Sequence, residues 1–147
     1  MSFIRIWIHC VWGTKNREAL FNKDNKAIII NHIKDNAKRK GIYIDCINGG
    51  NDHLHCLISL NPNESLSKTV QLIKGESSYW INKSNLVSTK FEWGDEYFAI
   101  SVSESSIQAV REYIRNQEEH HKKKTWTEEY KEFIQNYNFD ELRAKAL

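Results

Sequence analysis

The chain has 147 residues, 40% of them hydrophobic and 27% charged, with one proline and a formal net charge of +2. That is the make-up of an ordinary globular protein long enough to bury a core, and it is read as a single domain over 1–147. So small a net charge does not mark a nucleic-acid binder, so local clusters must carry any such reading.

Three cysteines, Cys10, Cys46 and Cys56, are odd in number and form no CxxC pair. They point to reduced thiols in a cytoplasmic protein rather than to disulfides or a zinc site. The apolar opening from Phe3 to Trp12 contains Arg5 and His9 and is too short to span a membrane. It has neither the basic leader nor the cleavage site of a signal peptide. Its Ile, Trp, Val and Phe content predicts a first strand. Gly13 to Arg17 follows as a basic loop.

A helix is predicted from about Asn22 to Lys40, with Ile29, Ile33 and Ala37 on one face. Lys38, Arg39 and Lys40 suit its C-terminal dipole, and Gly41 ends it. Ile42 to Ile47 predicts a second strand. The turn Gly49-Gly50-Asn51-Asp52 leads into a third, His53 to Leu60, which makes the pair a hairpin. Strand side chains alternate between faces. Leu54, Cys56, Ile58 and Leu60 therefore form a core face, and His53 and His55 stand together on the other. Two imidazoles placed so can meet one ion or one phosphate.

Asn61 to Glu64 breaks the chain, and Ser65 caps a second helix to about Asn82 that faces inward with Leu66, Val70, Ile73 and Ser77. Tyr97 to Val102 predicts a fourth strand. Ser103 is expected to cap a third helix to about Lys122. Thr125-Trp126-Thr127-Glu128 fits a capping box and opens a fourth. The first six elements follow β-α-β-β-α-β, the ferredoxin-like split βαβ order. The expected fold is thus α+β, a four-stranded antiparallel sheet with helices on one face and a further helical segment free to reach the other.

On the third helix Ile107, Val110 and Ile114 form the buried stripe. Tyr113 lies about 90° from the stripe's centre at 100° per residue. Gln117 sits one turn beyond on the same side, with His120 nearby and His121 nearer the stripe. Each feature has a bland reading. A strand HxH pair is more often structural than chemical, a helical tyrosine is usually packing, and a lysine run is usually a solvated helix end. The five tryptophans, Trp7, Trp12, Trp80, Trp93 and Trp126, belong to a core by default, although one or two can stack bases.

Together the segments His9 to Arg17, Asp52-His53-Leu54-His55, Val70 to Gly75 and Tyr113 to His121 resemble the HUH single-strand transposases with one catalytic tyrosine, encoded by insertion sequences of the IS-two-hundred type. The stretch Trp93 to Tyr97 departs from that pattern, which more often has a glycine directly before the aromatic residue. A loop effect is expected there. The resemblance implies a homodimer that cleaves and rejoins single-stranded DNA near hairpins without ATP. It implies His53, His55 and Gln117 as metal ligands and Tyr113 as nucleophile, on the helix beyond the fourth strand.

Two neutral imidazoles and an amide oxygen leave a divalent ion its full charge, and such donors suit Mg²⁺ or Mn²⁺. A tyrosine attack on phosphate stores its energy in a phosphotyrosyl bond. Lys15, Arg17, Lys74, Lys122, Lys123 and Lys124 are the candidates for contacting the DNA backbone. The family further suggests sites shared between two chains. Strand one, read as a long apolar edge, favours pairing between copies. Three other readings compete: a domesticated hairpin-binding relative with a host role, a nucleotide hydrolase whose H-x-H-x-H strand would be broken by Leu57, and a non-catalytic ferredoxin-like interaction module.

Overall fold

The computed structural model describes residues 2–117 together with Glu128, Glu129 and Glu132. Four antiparallel strands form one sheet: β1 (Trp7–Gly13), β2 (Tyr43–Gly49), β3 (His53–Ser59) and β4 (Phe98–Val102), in the order β2-β3-β1-β4. The expected α+β, split βαβ order is the one observed. Helices α1 (Lys23–Arg39) and α2 (Leu66–Ser84) connect the strands.

Local signals explain both helices. Asn22 accepts from the Asn25 amide while the Asn25 side chain accepts from the Asn22 amide, a reciprocal cap. Ile29, Ile33 and Ala37 are buried at helical spacing. Gly41 ends α1 at φ +74°, where a side chain would be strained. Ser65 accepts from the Lys68 amide and caps α2. The main core lies between these helices and one face of the sheet. There Cys10, Trp12, Leu54, Cys56 and Ile58 meet Ile29, Ile33, Val70, Ile73 and Ile81.

Helix α3 (Ile107–Arg115) covers the other face. Its nine residues are too few to hold a helix unaided, so packing decides it. Ile107 and Ile114 are buried against Trp7, Cys46 and Leu57, each stabilising the docking by about 1.5–3 kcal/mol. A polar clamp adds direction. A bulge between Ile44 and Cys46 breaks the β2 register, and Asp45 within it receives two bonds from the Arg111 guanidinium at 2.8 and 2.9 Å. Further along, Asn48 donates to the Arg115 carbonyl.

Several expectations change. The first strand begins at Trp7, not Phe3: its ladders end there opposite Ser59 on β3 and Val102 on β4, with one further backbone bond from the Leu60 amide to the Ile6 carbonyl. Phe3 is 93% exposed beyond them. The same strand is central rather than an edge, since β3 and β4 flank it. Ser103 does not cap with its side chain. Its hydroxyl meets those of Ser105 and Ser106, and a 3-10 turn over Glu104–Ser106 precedes α3. The helix is regular only to Arg115, although Gln117 is still helical.

Three of the tryptophans, Trp7, Trp12 and Trp93, are buried, and Trp80 stacks on His32 at 3.8 Å. The stretch Trp93 to Tyr97 is a loop, with a single bridge between Trp93 and Thr14. His120, His121, the Lys122–Lys124 run and the Thr125–Thr127 cap lie outside the described residues.

Candidate metal and tyrosine site

The β2–β3 turn starts the site. A side-chain carbon at Gly49 would sit 2.0 Å from the His53 carbonyl, so only glycine lets β2 close on the first residue of β3. The pleat then sends His53, His55 and Leu57 toward α3, as the alternation predicted. The sequence placed them facing away from the core. Under α3 both imidazoles are fully buried.

Each imidazole is held from behind. His53 Nδ1 lies 2.8 Å from Asp52 Oδ1, and an ionised carboxylate only accepts, so Nδ1 carries a proton and a neutral His53 presents its Nε2 lone pair to the site. His55 Nδ1 lies 2.9 Å from His9 Nε2. Burial, and then the neighbouring His55, push His9 down to about 3, which keeps it neutral at physiological pH. Either nitrogen of that pair can be the donor; when His55 donates its Nδ1–H to His9, the His55 Nε2 lone pair also faces the site.

Tyr113 and Gln117 arrive on the ridge expected for them. The Tyr113 ring is half-buried, edge-on to His55 with centroids 5.4 Å apart and 6.1 Å from His9. Gln117 donates through Nε2 to the Tyr113 carbonyl, which turns its Oε1 toward His53 Nε2 at 3.4 Å. Both are acceptors if the Asp52 bond sets the tautomer. Lone pairs aimed at one point suit a cation. The nitrogen and oxygen donors fit Mg²⁺ or Mn²⁺. Burial raises the thiols of Cys10 and Cys46 to about 12 and 11, so they are not thiolate ligands.

Sequence reasoning missed three residues. Asp52 and His9 orient the pair; His9 shares a face of β1 with Trp7 and Val11, a signal that period two contains. The third is Glu129. Its Oε1 lies 3.0 Å from His55 Nε2 and its Oε2 lies 3.6 Å from His53 Nε2. The Tyr113 hydroxyl donates to Oε1. His53, His55 and Glu129 thus form a buried group able to hold a metal ion. Burial pushes Glu129 up to about 7, against the pull of His53. Nothing in the sequence around it says which side of its helix faces the histidines.

The basic candidates sit differently. Lys15 and Arg17 are exposed in the turn after β1, at the end of the sheet where Gly13 pairs with His53. Lys15 is ion-paired with Glu92 at 2.9 Å. Lys74 reaches the same region from α2, but its ammonium donates to the Gly94 carbonyl at 2.7 Å, and burial lowers its pKa. It ties the loop that lies against Gly13, through the Gly94 amide, and meets a phosphate only by giving up that bond.

Replacing Asp52 by Ala should weaken Mn²⁺ binding by about 10–100-fold, since it releases the His53 ring from its tautomer. Calorimetric titration of the folded variant checks this, and unchanged affinity would remove Asp52 from the site.

Residues 2–117 match the family model described as "Transposase IS200 like". The chain is 24% identical over 115 residues to the ISDra2 transposase TnpA of Deinococcus radiodurans, covering 74% of this chain and 81% of that protein. Its fold is similar to that of a putative transposase from Deinococcus radiodurans R1, with a TM-score of 0.63 at 20% identity over 79% of this chain and 93% of the other. It is also similar to a REP-associated tyrosine transposase bound to a REP hairpin, with a TM-score of 0.62 at 15% identity over 82% and 72% of the two chains. Among the described residues no helix is long and apolar enough to cross a membrane.

Proposed function

We propose, from the premise that this chain belongs to the IS200-like transposase family, that it cleaves and rejoins single-stranded DNA at hairpin-associated ends through a phosphotyrosine at Tyr113. The observation that carries the reading is the meeting of Tyr113 and Gln117 with His53 and His55 on the α3 face of the sheet. His53, His55 and Gln117 would hold Mg²⁺ or Mn²⁺. When bound there, the ion supplies Lewis acidity to a phosphate oxygen and offsets charge at the transition state.

The chain's own residues do the rest. The Tyr113 oxygen attacks phosphorus as its proton leaves, the bond to the 3′ oxygen breaks, and a 3′ hydroxyl departs. The new P–O bond keeps the DNA end attached and ready for a second 3′ hydroxyl, so no nucleotide cofactor is required. The edge-on packing of Tyr113 against His55 and His9 holds the ring for attack. Lys15 and Arg17 follow the DNA backbone near His53, joined by Lys122, Lys123 and Lys124. Lys74 contributes once it leaves Gly94. The reading takes 1–147 as one domain acting in the cytoplasm as a homodimer. The hairpin held by the similar REP-associated transposase supports hairpin DNA as the partner class.

Hairpin-forming oligonucleotides drawn from the DNA that flanks the gene provide the test. Cleavage is expected with the single strand in Mn²⁺ or Mg²⁺ and not in a chelator. The fully paired duplex should be inert. Equal cutting of duplex and single strand would overturn the proposal.

A further inference from the structure

We propose that Glu129 is a direct ligand of the divalent cation, so that this chain adds a carboxylate from its C-terminal segment to His53, His55 and Gln117. The inference rests on the metal reading above and deepens it. Glu129 follows Tyr113 by sixteen residues and lies beyond the 2–117 stretch that matches the family. No part of the family match requires it.

The geometry points to the ion. The candidate ligand atoms of His53, His55 and Glu129 lie within 4.8 Å of one another. An octahedral ion with bonds near 2.1 Å keeps neighbouring ligands about 3 Å apart. The 3.0 Å separation of Glu129 Oε1 from His55 Nε2 suits such an edge, and the second oxygen, Oε2, lies 3.6 Å from His53 Nε2. The side chain is 6% exposed.

The charge changes what the site binds. Two imidazoles and an amide leave the ion at +2. Glu129 brings the set to +1, which tightens binding and favours an oxygen-preferring cation. Because Oε1 also receives the Tyr113 hydroxyl, the same carboxylate ties the nucleophile to the metal centre.

Full-length wild type, Glu129→Gln, Glu129→Ala and His53→Gln are titrated with Mn²⁺ by calorimetry and electron paramagnetic resonance. Thermal unfolding is followed with and without the ion. Glu129→Ala and His53→Gln should each weaken binding by about 100-fold or more, a direct ligand costing at least as much as an outer one. Glu129→Gln keeps the side chain's size. It should unfold without Mn²⁺ as wild type does, yet lose most of the rise in Tm that Mn²⁺ gives. Should Glu129→Ala fail to fold, Glu129→Gln decides the matter alone. If the Glu129 variants bind Mn²⁺ as tightly as wild type, or more tightly, while His53→Gln binds weakly, Glu129 is a packing or blocking group and the inference falls. Unchanged binding in His53→Gln as well would overturn the underlying metal reading.

Discussion

Tyr113→Phe is expected to leave a folded protein that binds hairpin DNA and forms no covalent adduct with it. The phenylalanine ring keeps the edge contacts with His55 and His9 and the packing beside Ile114. Only the phenol oxygen is lost, together with its hydrogen bond to Glu129. The stability change should therefore stay within about 1.5–3 kcal/mol, the net worth of one bond to a charged group. Cleavage should fall by about 10⁴-fold or more, because the nucleophile itself is gone. Wild type incubated with the single-stranded hairpin and Mn²⁺ should show one protein–DNA adduct, mapping by mass spectrometry to Tyr113. An adduct at Tyr79, which is 67% exposed, or at Tyr97 or Tyr130, would reassign the nucleophile.

What could be read in advance was whatever repeats with a local period. Alternation along His53 to Leu60 assigned the histidines to the face opposite Leu54, Cys56 and Ile58, and the sheet has that arrangement. The off-stripe angle of Tyr113 and the one-turn step to Gln117 likewise survive in α3. Sheet order was not readable from one strand at a time. Phe3 to Trp12 reads as an apolar edge, yet β1 is flanked on both sides, and its apolar content reflects burial against α1 and α2 on one face and α3 on the other. The start of α3 also misled. In the polar run Ser103 to Ser106 the three serine hydroxyls meet one another instead of capping an amide, while Glu104 accepts from Arg5 and Trp7. The backing groups were the hardest to see. His9 and Glu129 lie far from His55 along the chain, and only the folded sheet and the C-terminal segment bring them to it. The clamp from Asp45 to Arg111 depends on a bulge that no turn residue announces.

Removal of the histidines should have the second large effect, and it also decides how the site is assembled. His53→Ala and His55→Ala should each abolish metal-dependent cleavage. Both rings are buried beneath α3, so alanine also leaves a cavity, at a cost of about 2–5 kcal/mol by analogy with other core truncations. His53→Gln and His55→Gln fill more of that space and separate lost chemistry from lost folding. Full activity in a folded variant would end the metal assignment. Within this chain α3 lies on its own sheet, held by Ile107, Ile114 and the Arg111–Asp45 clamp. One chain thus brings Tyr113 to its own His53 and His55, whereas the family resemblance suggested sites shared between two copies. Mixing separates the arrangements. A His53→Gln/His55→Gln chain is combined with a Tyr113→Phe chain under conditions in which mass spectrometry shows mixed dimers. With sites built within each chain, every site stays dead and no cleavage returns. With helices exchanged, each mixed dimer gains one site with two native histidines and a native tyrosine, and strand cleavage reappears. Such recovery would mean that α3 leaves Asp45 and docks on the other copy in the state that cuts DNA. The roles proposed for Tyr113, His53 and His55 would stand unchanged.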